Sequence, residues 1–189
     1  MLVGKRRLGI LALAALLPIG LACGPGSGGP AAAALPGKGP PAWEVHFSPH
    51  GGSTEAVVAE LGKAKSWVQV QAYSFTSAPI AKALVDAKGR GVRVEVILDK
   101  TQRTEKYSSA DFVAHAGIPT SIDARHAIAH NKVMVIDGEV VLTGSFNFTK
   151  AAEENNAENL LVLRDSALAA TYSENWKAHL GHSEPYEGR

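Results

Sequence analysis

His130, Lys132, Asp137, Ser145 and Asn147 fall within eighteen residues, in the pattern H-x-K-x4-D-x6-G-S-x-N. An imidazole serves as nucleophile or proton shuttle near neutral pH. A lysine ammonium neutralises a phosphoryl oxygen as a point charge. Gly144, Ser145 and Asn147 stand just ahead of a helix signal. A hydroxyl, an amide and exposed N–H groups at that position could cradle a phosphate. Together these groups suit attack on a phosphodiester. The pattern occurs once in the chain.

Each residue alone has an ordinary reading. A histidine beside a strand is more often a satisfied core or surface residue, and a lone lysine is nearly always solvated. Asp137-Gly138 is explained as a turn, and Ser145 and Asn147 as loop and cap residues. What points to a site is their joint spacing on a strand–turn–strand–loop–helix frame. His126 and His130 are four apart, as in helical metal pairs. The segment does not read as a long helix, however, no carboxylate is placed beside it, and Lys132 would repel a cation at His130. No metal ligands and no cofactor are assigned.

The frame around these residues is an α/β one. Residues 132–136 are apolar on both faces, as in an internal strand. Side chains two apart on a strand point the same way, so His130 and Lys132 share a face. Asp137-Gly138 predicts a hairpin to a partner strand at 139–143. Thr149 can cap a short helix through Ala152, residues 159–163 read as a strand, and 166–180 as an amphipathic helix carrying Leu168, Tyr172 and Trp176. Upstream, strands at 43–47, 67–72 and 92–98 alternate with two helices. The first is capped by Ser53 or Thr54 and carries Val57 and Leu61. The second starts near Pro79, carries Ile80 and Leu84, and is ended by Gly89 and Gly91. That rhythm implies parallel pairing in an α/β sheet. Residues 100–126 read as irregular and polar, with a short helix near 110–116.

The N-terminus reads as an export signal. Lys5, Arg6 and Arg7 precede an apolar stretch from Leu8 to Leu21, short for a membrane span, and Gly20-Leu21-Ala22 is a small-x-small cleavage site. The organisation expected is a signal peptide at 1–22, a Gly/Pro/Ala linker at 23–41, a single catalytic domain at 42–182 and a tail at 183–189. The product would be periplasmic or secreted. Cys23, the only cysteine, is a candidate lipid anchor and excludes an intrachain disulfide. Without the three basic residues of the signal, 16 basic residues stand against 18 acidic. Such a chain is no bulk polycation, so any polyanion must be held by a local basic site.

The chain resembles the phospholipase D superfamily, and most closely its small secreted bacterial endonucleases with one motif per chain. The likeness runs from about Trp43 to Trp176. Beyond the H-x-K-x4-D motif, it is carried by Ala72-Tyr73-Ser74-Phe75-Thr76, by the run from Thr143 to Glu153, and by Glu158-Asn159. The resemblance implies an α/β/α sandwich around a mixed, mostly parallel sheet. It implies a homodimer, in which a twofold axis supplies the second motif. It implies that His130 of one subunit attacks phosphorus and His130 of the other protonates the leaving oxygen. Lys132, Ser145, Asn147 and Gly144 would hold the phosphoryl oxygens, Glu158 would orient the histidine, and Asp137 would support the motif rather than touch substrate. Hydrolysis would need no metal. Nucleic acid is the expected substrate, DNA ahead of RNA. Phospholipid head groups are the enzymatic alternative, and a catalytically silent nucleic-acid-binding module the other. Lys100, Arg103, Lys106 and Arg125 could track a phosphate backbone or form an ordinary solvated loop. Tyr73 and Phe75 could stack bases, although core packing is their commoner role.

Overall fold

The computed structural model describes residues 42–189. The expected signal peptide, linker and Cys23 anchor lie outside these residues. Eight strands form one sheet: β1 (Trp43–Ser48), β2 (Trp67–Ala72), β3 (Arg93–Asp99), β4 (Thr120–Asp123), β5 (Lys132–Ile136), β6 (Val140–Gly144), β7 (Glu158–Arg164) and β8 (Glu184–Tyr186). Their order across the sheet is β1-β7-β6-β5-β2-β3-β4-β8. Five helices accompany them: α1 (Ser53–Lys63), α2 (Ala78–Gly89), α3 (Ala110–His115), α4 (Lys150–Glu154) and α5 (Ser166–Leu180).

The sheet is mixed, and its parallel share is smaller than the strand–helix rhythm implies. Only β2–β3 and β3–β4 pair in parallel. The hairpin of β5 and β6 inserts antiparallel beside β2, and β1 leaves the parallel set to pair antiparallel with β7. Parallel pairing needs a helical crossover. α2 supplies one between β2 and β3, whereas α1 carries the chain from the edge strand β1 to the centre.

Alternation along the strands builds two cores. Met134 and Ile136 of β5 face the larger one, with Val57 and Leu61 of α1 and Ile80 and Leu84 of α2. Val133 and Val135 face the opposite way, onto Ala169, Leu168 and Tyr172 of α5. Helices therefore cover both faces, and β5 is buried along its whole length. Trp176 of α5 is buried and donates its indole N–H to Val70 O at 2.9 Å, which ties the helix to the central strand. No helix among the described residues is long and apolar enough to cross a membrane.

Three local expectations need correction. Neither Ser53 nor Thr54 caps α1. The N-cap is Gly52, and Glu153 of α4 accepts from Gly52 N at 3.2 Å and Thr54 N at 2.7 Å. A carboxylate suits the positive end of a helix dipole wherever it comes from in the sequence. The irregular stretch at 100–126 contains a strand, β4, whose pairing with β3 overrides its weak local pattern. The domain also does not stop at 182: β8 adds an antiparallel edge strand to β4. Pro185 is tolerated there because an edge strand can spare an N–H.

Candidate active site

Strand direction gathers the motif at one edge of the sheet. Ala72, at the end of β2, pairs with Lys132 at the start of β5. Gly144 ends β6 opposite Leu160 of β7, and Glu158 begins β7 opposite Ser48 of β1. The result is an open cleft of about 440 Å³ lined by His130, Lys132, Gly144, Ser145, Asn147 and Glu158. All six were selected from the sequence.

His130, Lys132 and Ser145 are held by specific contacts. His130 is exposed, and its ring lies 4.7 Å from the Tyr73 ring, centroid to centroid. Lys132 is buried; its Nζ donates to His130 O at 2.8 Å and lies 5.0 Å from the Tyr73 ring centre. Burial pushes the Lys132 ammonium below its ordinary pKa, while the Glu158 carboxylate pushes it back up. Ser145 Oγ accepts from Asn159 N at 3.0 Å, which fixes the hydroxyl at the rim. Asn147 brings a buried Oδ1 with no hydrogen-bond partner. A polar group left unpaired in this way often marks a place completed by a ligand. Gly144 has φ 148°, and a Cβ there would sit 2.2 Å from Asn159 O. Only glycine allows β6 and β7 to approach so closely ahead of Ser145.

Asp137 is elsewhere. It sits at φ 55° in the β5–β6 turn, five residues along the strand from Lys132, or about 17 Å. Its carboxylate accepts from Lys65 N (2.8 Å), Ser66 N (2.8 Å) and Trp67 N (2.9 Å). It pins the start of β2 beside the end of β5. Burial raises its pKa, but the backbone donors outweigh this and hold it below the usual carboxylate value.

The loop at 124–131 that delivers His130 is also anchored. Asp99, buried at the end of β3, accepts from Ala129 N at 2.7 Å through one oxygen and from Thr101 N at 2.9 Å through the other. Lys100 Nζ donates to His126 O at 3.0 Å. Asp99 was not singled out in the sequence, because nothing local marks a carboxylate whose partner lies thirty residues on. The basic residues of this region are unequal. Arg103 is paired with Glu184, whereas Lys106 and Arg125 are exposed. Phe75 is fully buried core, and Tyr73 is the aromatic that reaches the cleft. The strand register places it there, one residue beyond Ala72.

The fold and this cleft agree with relatedness. A family model described as "Cardiolipin synthase, PLD-like domain" matches residues 57–180, so the chain belongs to the phospholipase D superfamily. Among individual proteins, it is 42% identical over 130 residues to the phospholipase D of Rickettsia conorii, covering 69% of this chain and 65% of that protein. It is 32% identical over 117 residues to the mitochondrial cardiolipin hydrolase of Xenopus tropicalis, covering 62% of this chain and 56% of that one. The chain therefore spans under two thirds of the length of these relatives. Among solved structures, the phospholipase D family member Nuc from Salmonella typhimurium superposes with a TM-score of 0.75 at 38% identity, covering 77% of this chain and 98% of that one. NucT from Helicobacter pylori, at 23% identity and a TM-score of 0.70, shares the fold.

Proposed function

We propose that this protein is a metal-independent phosphodiesterase that cleaves nucleic acid, with DNA ahead of RNA, in a site completed by a second copy of the chain. The observation that carries the reading is the cleft, in which His130, Lys132, Ser145, Asn147 and Glu158 converge while each chain supplies one motif histidine. Two imidazoles facing one phosphate can hold opposite protonation states. The neutral His130 attacks phosphorus and forms a P–N bond as the P–O bond to the leaving group breaks. The protonated His130 of the second copy gives its proton to that oxygen. Now neutral, it takes a proton from water, whose oxygen attacks phosphorus and breaks the P–N bond. Lys132, Ser145 and Asn147 meet the charge on the phosphoryl oxygens. The Glu158 carboxylate favours the charged form of Lys132, against the burial that disfavours it.

The cleft is open, and apart from Gly144 its lining residues all carry polar or charged groups, which suits a phosphate backbone better than acyl chains. A lipid reading has its own support in the names of the Rickettsia and Xenopus relatives and in Ile128, exposed two residues before His130. One experiment separates the two. The purified protein is incubated in excess EDTA with supercoiled plasmid and, in parallel, with phosphatidylcholine vesicles, beside a His130→Ala control. The expected result is plasmid nicking by the wild type, lowered about 10³-fold or more in the variant. Hydrolysis of vesicles without nicking transfers the proposal to lipid. Activity that vanishes in chelator and returns only with added metal overturns metal independence.

A further inference from the structure

A second cluster of ionisable side chains lies on the same edge of the sheet, three strand spacings or about 14 Å from the start of β5. Asp123 ends β4, His126 follows in the loop, His179 is in the last turn of α5, and His182 is just beyond it. One potential ligand atom from each of the four lies within 4.8 Å of all the others. From the Asp123 carboxylate oxygen Oδ2, His179 Nδ1 is 2.7 Å away, His126 Nδ1 3.0 Å and His182 Nε2 3.3 Å. The three rings crowd together, with centroids 4.9 to 5.3 Å apart.

Hydrogen bonding alone accounts poorly for this arrangement. Asp123 is completely buried, and among the described residues its charge partners are these three histidines. Asp123 Oδ2 faces all three imidazole nitrogens, while Oδ1 meets only His126 Nδ1 at 3.2 Å and Arg125 N at 3.1 Å, and His182 Nε2 is buried without a hydrogen-bond partner. Protonating all three rings would set three positive charges against one negative. Leaving them neutral points three N–H groups at one carboxylate oxygen. A cation at the convergence point resolves both problems. Three neutral imidazoles and a carboxylate are a donor set for zinc and its neighbours. Tetrahedral coordination at the usual zinc–nitrogen length puts ligand atoms about 3.3 Å apart, against 2.7 to 3.3 Å from Asp123 Oδ2 to the three nitrogens and 4.8 Å as the bound on all four atoms.

We propose that Asp123, His126, His179 and His182 bind one divalent first-row transition-metal ion, zinc by preference, as a structural clamp. The clamp joins the end of α5 to the loop that delivers His130. His126 is the exposed ligand and gives the ion its way in. The proposal does not depend on the substrate of the cleft, and it leaves the chemistry there metal-free.

The test is metal content and its consequences. The untagged protein is incubated with zinc, gel-filtered and assayed for bound metal. His130→Ala, His182→Ala and His126→Ala are treated alike, with circular dichroism to confirm folding. The expected result is one zinc per chain in the wild type and in His130→Ala, and background levels in the other two. Cobalt substitution should give the intense visible bands of a tetrahedral site, absent in His182→Ala. Stripping the ion should lower Tm while plasmid nicking at 25 °C persists. If His182→Ala does not fold, His126→Ala decides, since its side chain is at the surface. Wild type that binds no stoichiometric zinc overturns the proposal. Zinc retained by His126→Ala and His182→Ala but lost from His130→Ala also overturns it, and counts separately against metal-free chemistry in the cleft.

Discussion

Lys132 is the residue whose environment is most finely balanced. It is buried beside Tyr73, it donates to the carbonyl of His130, and its pKa is lowered by burial and raised by the Glu158 carboxylate. If a charged Lys132 is needed at the phosphate, Glu158→Gln removes the contribution that raises its pKa. The alkaline limb of the pH–rate profile should then move to lower pH. A limb that stays in place, with activity merely scaled down, would show that Glu158 acts on something other than Lys132. Of the groups picked from their types and spacing, Asp137 alone stands away from the cleft, in the turn that Asp137-Gly138 predicts. Tyr73 was legible only as an aromatic after a strand. Its place against His130 and Lys132 depends on the β2–β5 register.

At the scale of elements, the β5–β6 hairpin and its anchor matter most. Three backbone donors from residues 65–67 converge on Asp137 and fix β2 against β5, and so fix the register that brings Lys132 to Ala72. Asp137→Asn should cost about 1–3 kcal/mol at pH 7, as expected for hydrogen bonds to a charged acceptor at a partly exposed site. In a domain of this size, Tm should fall by about 2–4 °C for each kcal/mol. The pH dependence has a definite sign. The native pKa of Asp137 is depressed, so its stabilisation is fully present above the unfolded value of about 3.9 and is lost as pH falls through the folded one. The gap between wild type and Asp137→Asn in urea midpoint should therefore narrow below about pH 4. A constant gap would contradict the anchor. The elements with strong periodicity were legible: β2, α2, β5, α5 and the Thr149 cap of α4, whose Oγ1 accepts from Ala152 N. β4, β8 and the Glu153 cap of α1 were not. The two strands are short, polar and stabilised by neighbours, and the cap comes from about a hundred residues away.

At the scale of the whole molecule, the proposed mechanism makes a single chain half of a two-histidine site. If both His130 side chains act on one phosphate, wild type co-expressed with His130→Ala should lose activity faster than the wild-type fraction falls, following its square for random dimers. A linear dependence would mean that each chain works alone. The proposed metal-free chemistry of the cleft and the proposed zinc clamp at its flank can be tested separately in the same preparation, since one should respond to His130 and the other to His182. The measurement that reaches the central claim most directly is capture of the covalent intermediate. Protein mixed with end-labelled DNA in EDTA, quenched in alkaline denaturant and digested, should yield a labelled peptide containing His130, which disappears in His130→Ala. A productive cleavage reaction whose label maps to another residue, or persists in that variant, would contradict His130 as the nucleophile.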